Sequence, residues 1–90
     1  MFTPLLKSER FVKEYTMFSE GIEKITDDAL RAKLSLDLTA LKTTVQAVDE
    51  QHERLMFGGN PDLEVTDLRD KIKLLRQTID TQLRAWQANH

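Results

Sequence analysis

Hydrophobic residues repeat at steps of three and four along three segments of the chain, and this spacing predicts three α-helices. A helix turns by roughly 100° per residue, so such steps place the repeated side chains on one face. The longest segment carries Leu34, Leu38, Leu41, Val45, Val48, His52 and Leu55. The segment before it carries Phe11, Tyr15, Phe18, Ile22 and Ile25. The segment after it carries Val65, Leu68, Ile72, Leu75, Ile79 and Trp86, with Gln82 interrupting the stripe and Leu83 beside it.

Capping residues divide the chain into helices of about residues 4–25, 27–57 and 61–88. Thr3 followed by Pro4 predicts the first helix start, because threonine accepts from free amides and proline fits a first turn. Thr26, Asp27 and Asp28 supply a cap and two first-turn acids for the second helix. No glycine or proline enforces this first break, so one kinked continuous helix is the alternative.

The second break is marked by two glycines and a proline. Gly58 and Gly59 can adopt the left-handed conformation that ends a helix, and Asn60 before Pro61 supplies a new cap and first turn. This arrangement predicts a tight helical hairpin. We expect residues 1–90 to form one all-α domain, either an antiparallel three-helix bundle or a helical hairpin with an extra N-terminal helix, with coiled-coil-like heptad packing.

The second helix carries a further stripe on the side opposite its hydrophobic face. This small-residue face consists of Ala29, Ala32, Leu36, Ala40, Thr43 and Ala47. In a closed bundle that side of a helix faces water, so we interpret the stripe as a second packing surface. The alternative is that alanine is present only because it favours helix formation. We expect a homo-oligomer, first of all a dimer, or association with another helical protein.

Composition and charge exclude several other classes of protein. The 90 residues are 40% apolar and 31% charged, as expected for one folded helical domain. A net charge of −2 gives no global attraction to nucleic acid or anionic lipid. The sequence has no cysteine and no long apolar stretch, so we expect a cytoplasmic protein with no signal peptide, disulfide or membrane partner.

The candidate chemistry in the sequence is sparse. His52 follows Asp49 by three residues, a spacing that can place two metal ligands on one helical face. A metal site needs further inward carboxylates, and the three hydrophobic stripes contain none, so we predict a packed or half-exposed histidine. The serines lie in helical segments without the strained turn that a catalytic nucleophile needs. We therefore expect no catalytic residue, no metal, no cofactor and no enzyme activity.

Arg69, Lys73 and Arg76 lie on one side of the predicted third helix and form a candidate nucleic-acid patch. Neighbouring aspartates dilute this positive charge, which favours an ordinary solvated helix surface. The sequence therefore predicts a non-enzymatic helical protein–protein interaction module, such as an adaptor, assembly or structural protein, that self-associates through helix faces. The alternative is a nucleic-acid-binding regulator that uses the basic residues of the third helix.

Trp86 is predicted to pack at the end of the bundle, beside the start of the second helix. Gly21 would then be required because a larger side chain would collide with the indole ring. The alternative is that Trp86 is exposed, either because the end of the helix frays or because the indole ring anchors a partner protein.

Overall fold

The structure, a computed structural model, describes residues 4–56 and 63–89, without the side chains of residues 54–56 and 63–65. A 3₁₀ turn, Leu5–Lys7, precedes the helices α1, Glu9–Glu23, α2, Asp28–Met56, and α3, Leu63–Asn89. No strand occurs within the described ranges, and the all-α prediction is confirmed. The predicted cap at Thr3 and the predicted turn at residues 58–61 lie outside the described residues, as do the side chains of Leu55 and Val65.

The first helix begins later than the sequence predicted. Pro4 leads into the 3₁₀ turn, and Ser8, in an extended backbone conformation, starts α1. The Ser8 hydroxyl accepts a hydrogen bond from the Phe11 amide at 3.2 Å, which satisfies one of the free amides of the first helical turn. The predicted start at residue 4 is therefore wrong, because the α-helix begins only after the Ser8 cap, four residues further along.

The predicted break between the first two helices is present, and Asp27 is its cap. Its side-chain oxygen Oδ1 accepts from the Leu30 amide at 3.2 Å. The Arg31 guanidinium donates to the Ile25 carbonyl at 3.1 Å and to the Asp28 carboxylate at 2.5 Å, so it holds both sides of the connection. The chain thus forms two separate helices here and not one kinked helix.

The core lies where the hydrophobic stripes of the three helices meet. The predicted faces of α1 and α2 supply most of it, while in α3 Leu83 is buried and Gln82 is only partly buried. The core cluster contains Phe18, Ile22, Ile25, Leu34, Leu38, Leu41, Val45, Ile79 and Leu83. Phe11, Tyr15 and Trp86 are partly buried and pack against this cluster.

The direction of α1 follows from its contacts with the other two helices. The amide of Leu5, just before α1, donates to the Asp49 carboxylate near the end of α2, while the end of α1 connects directly to the start of α2, so α1 runs antiparallel to α2. Glu14 pairs with Arg76, and Gly21, seven residues further, lies against Leu83. The residue numbers rise together in these two contacts, so α1 runs parallel to α3.

Candidate interaction surfaces

The small-residue face lies on the outer side of α2. Ala29, Ala32, Leu36 and Thr43 are exposed, and Ala40 and Ala47 are half-buried. Leu36 has 72% of its surface exposed, the largest fraction among the exposed large hydrophobic residues of the described chain. The structure therefore places the predicted face on the surface, with a leucine at its centre and small side chains on either side of it.

Asp49 holds the N-terminal turn against α2. Its side chain is buried, and its two carboxylate oxygens accept from the amides of Leu5 at 2.7 Å and Leu6 at 3.1 Å. Because the first amides of a helical turn have no partner within the turn, this carboxylate acts as a cap supplied by a distant residue. This contact could not be predicted from local sequence patterns, because it joins residues more than forty positions apart.

Asp49 and His52 do not form the metal-binding pair that their spacing suggested. The Asp49 carboxylate is bonded to backbone amides, whereas the Nε2 atom of His52 lies 3.2 Å from the Arg69 guanidinium. In the described ranges, no group of three histidine, cysteine, aspartate or glutamate residues is placed to hold a metal ion.

Two of the three residues of the candidate nucleic-acid patch contact groups on other helices. Arg69 contacts His52 of α2, and Arg76 makes a two-bond ion pair with Glu14 of α1, in which Nη2 lies 2.6 Å from Oε2. The pKa of Arg76 is raised above its ordinary value. The main cause is its hydrogen bonding to Glu14, and the negative charge of Glu14 adds to the effect, whereas burial of the guanidinium acts in the opposite direction. Lys73 is exposed and has no ion pair in the described structure.

Lys73 and Arg76 also line a groove between α1 and α3, which we call the α1/α3 groove. Its volume is about 580 Å³, and α1 contributes Arg10, Lys13 and Met17 to its walls. This convergence of charge was not predicted, because the sequence does not reveal which side of α1 faces α3. Lys73 and Arg76 thus belong to a larger surface built from two helices, and Arg69 lies outside it.

Trp86 packs against the edge of the core, near the end of α3. It lines a shallow depression together with Gly21, as the predicted neighbourhood requires. However, a Cβ atom added at Gly21 would lie 3.3 Å from both terminal methyl carbons of Leu83, and no indole atom is among its three nearest contacts. The predicted collision therefore involves a different residue, because Leu83, which the sequence placed beside the stripe, is buried in the core and lies over Gly21.

None of the described helices combines the length and the apolar character needed to cross a membrane. Comparison of the chain with protein-family models, curated proteins and solved structures finds no match.

Proposed function

We propose that the protein is a non-enzymatic helical interaction module that self-associates through the small-residue face of α2. The observation that carries this proposal is the exposure of Leu36 within a row of small side chains. Isolated surface leucines are common and need no explanation, but here small side chains lie on both sides of Leu36 over about five turns of one helix.

The composition of this face suits close helix packing. Helix axes that pack together lie 8–10 Å apart, and the distance depends on the side chains at the contact. Alanine at positions 32 and 40 would allow a second helix to approach and cover Leu36. Fully burying a leucine side chain contributes about 1.5–3 kcal/mol, and a symmetric dimer would bury two of them.

A two-fold symmetric antiparallel dimer would pair the small-residue face of one molecule with the same face of a second molecule. The face extends from Ala29 to Ala47, so its midpoint lies near residue 38. In an antiparallel interface centred there, residues at equal distances on either side of the midpoint meet, which places Ala40 opposite Leu36 of the second molecule. The proposal therefore identifies Ala40 as the position at which a charge would be most damaging.

The test compares Ala40→Glu with Ser35→Glu by sedimentation equilibrium over a wide range of concentrations. Ser35 is an exposed position of the same helix, and it lies about 100° around the helix from Leu36 and about 140° from Ala40. We expect the wild type and Ser35→Glu to reach twice the 10.4 kDa monomer mass. Ala40→Glu should remain monomeric with unchanged helical circular dichroism. A wild-type chain that stays monomeric at millimolar concentration would refute the proposal.

The alternative function, nucleic-acid binding through the third helix, has weaker support. The guanidinium groups of Arg69 and Arg76 already contact His52 and Glu14, which leaves Lys73 as the member of the predicted patch without an ion pair among the described residues. Nucleic-acid affinity that falls steeply as salt is raised would favour this alternative, since phosphate contacts release counterions.

A further inference from the structure

The two walls of the α1/α3 groove have the same spacing of residues. Each wall presents side chains at steps of three and four, which is the spacing of one helical face. The α1 wall carries Arg10, Lys13 and Met17, and the α3 wall carries Lys73, Arg76 and Asp80. Because α1 and α3 run parallel, both walls start with basic residues at the same end of the groove. The groove therefore has a basic end and, about two turns away, an end formed by Met17 and Asp80.

The groove is positively charged although the chain is not. Four basic residues and two carboxylates, Glu14 and Asp80, line it, which gives +2 against −2 for the whole chain. Both carboxylates already bind arginines: Glu14 pairs with Arg76, and Asp80 pairs with Arg84 at 3.0 Å. Arg10 and Lys73 have no ion-pair partner among the described residues. The basic end thus carries charge that this part of the chain does not neutralise.

The other end of the groove provides an apolar contact. Met17 is 67% exposed, and the buried ring of Phe18 lies next to it in the wall. An unbranched thioether side chain adapts its shape to different partners, and methionine is common on surfaces that bind helices. A ligand for this groove should therefore combine negative charge with an apolar side chain.

We propose that the α1/α3 groove binds an acidic amphipathic helix of a partner protein. The partner would place carboxylates beside Arg10 and Lys73 and a large apolar side chain against Met17, about two turns away. This surface is separate from the small-residue face, which belongs to α2. Nucleic acid fits the groove less well, because its phosphates would continue past the basic end to Met17 and Asp80, where the peptide places an apolar side chain.

The probe is a labelled 14-residue alanine-based peptide with two glutamates in its first turn and two leucines two turns later on the same face. The control peptide has the same composition, with the glutamates moved to the opposite face. Binding is measured by fluorescence anisotropy, and backbone amide chemical shifts locate the contact. We expect the patterned peptide to bind at least tenfold more tightly than the control peptide and to shift the amides around Met17 and Gln77.

The variant that tests the basic end is Arg10→Glu combined with Lys73→Glu. Its matched control is Lys7→Glu combined with Lys71→Glu, which makes the same charge change at exposed positions outside the groove. The groove variant should weaken binding of the patterned peptide at least tenfold, and the control variant less than threefold. All four positions are exposed, so thermal unfolding should show that each double variant stays folded.

Met17→Ala tests the apolar end and should weaken peptide binding at least threefold without changing thermal stability. The proposal is overturned if the two peptides bind equally, if neither binds, or if the groove and control variants lose the same affinity. A single-stranded DNA of 20 nucleotides is titrated in parallel. Salt-sensitive DNA binding that the groove variant abolishes, with no peptide binding, would overturn the proposal in favour of a nucleic-acid partner.

Discussion

Leu83 of α3 packs directly over Gly21 of α1, with both of its terminal methyl carbons 3.3 Å from the point that a Cβ atom on Gly21 would occupy. Such a distance is tighter than ordinary van der Waals contact, so a side chain at position 21 would force Leu83 to shift. Glycine inside a helix costs roughly 0.5–1 kcal/mol relative to alanine. The close approach of α1 and α3 at this point gives a physical reason for accepting that cost.

Gly21→Ala should therefore stabilise the protein by less than the roughly 1 kcal/mol expected from helix propensity alone. In a Leu83→Ala background, where the obstructing methyl groups are gone, the full gain should appear. The energetic coupling between positions 21 and 83 is obtained from a double-mutant cycle, in which the free energy of unfolding in urea is measured for the wild type, the two single variants and the double variant. Val48→Ala serves as the distant control background. Equal effects of Gly21→Ala in the wild type and in Leu83→Ala would contradict the packing described here.

Leu41 tests the assignment of the core face of α2. Its side chain is completely buried in the core cluster, so Leu41→Ala should lower the free energy of unfolding by about 2–5 kcal/mol. Leu36→Ala is the matched control, because it removes the same atoms from an exposed position of the same helix. Measured at a concentration where the chain is monomeric, the control should change stability by less than about 0.5 kcal/mol. Similar losses for the two variants would mean that the core face has been misassigned.

The sequence predicted the faces of the helices better than their ends. The hydrophobic repeat is a property of each helix alone, so Leu34, Leu38 and Leu41 could be placed in the core without knowing the neighbours. The start of α1 was predicted at Thr3 and Pro4, and Ser8 was predicted to lie within the helix, because a serine's local preference does not show whether it caps a helix or lies inside one. The structure shows Ser8 as the cap of α1, with a separate turn before it.

The α1/α3 groove could not be predicted, for a different reason. Arg10 and Lys73 are far apart in the sequence, and their meeting depends on how α1 is rotated and how far it is shifted along α3. Both quantities are set by tertiary contacts such as the pair of Glu14 with Arg76. The small-residue face could be predicted, because all of its members belong to one helix and share its periodicity.

Asp49 should anchor the N-terminal turn. Asp49→Ala removes the acceptor of the Leu5 and Leu6 amides and leaves both partly buried donors without this partner. Each such loss costs about 1–3 kcal/mol when the donor stays buried, and local opening of the turn to water would reduce the total. We expect a loss of about 1–3 kcal/mol in the free energy of unfolding.

Amide hydrogen exchange identifies where the Asp49→Ala variant is damaged. The Leu5 and Leu6 amides should exchange much faster than in the wild type, while amides in the middle of α3 should exchange at nearly wild-type rates after correction for global stability. Glu50→Gln, an exposed neighbour on the same helix, is the control and should change neither quantity. Unchanged protection of Leu5 in Asp49→Ala would show that the carboxylate is not the acceptor.

The fluorescence of Trp86, the only tryptophan, reports on the end of the bundle. Its side chain is half-buried and packs against the core, so its emission maximum should lie to the blue of free N-acetyltryptophanamide and should move to the red on unfolding in urea. Acrylamide should quench it less efficiently than the free amide. Leu83→Ala, which loosens the neighbouring core, should shift the emission towards the red. Emission like that of the free amide would refute the packing, and a blue shift that appears only at high protein concentration would place Trp86 in a self-association surface.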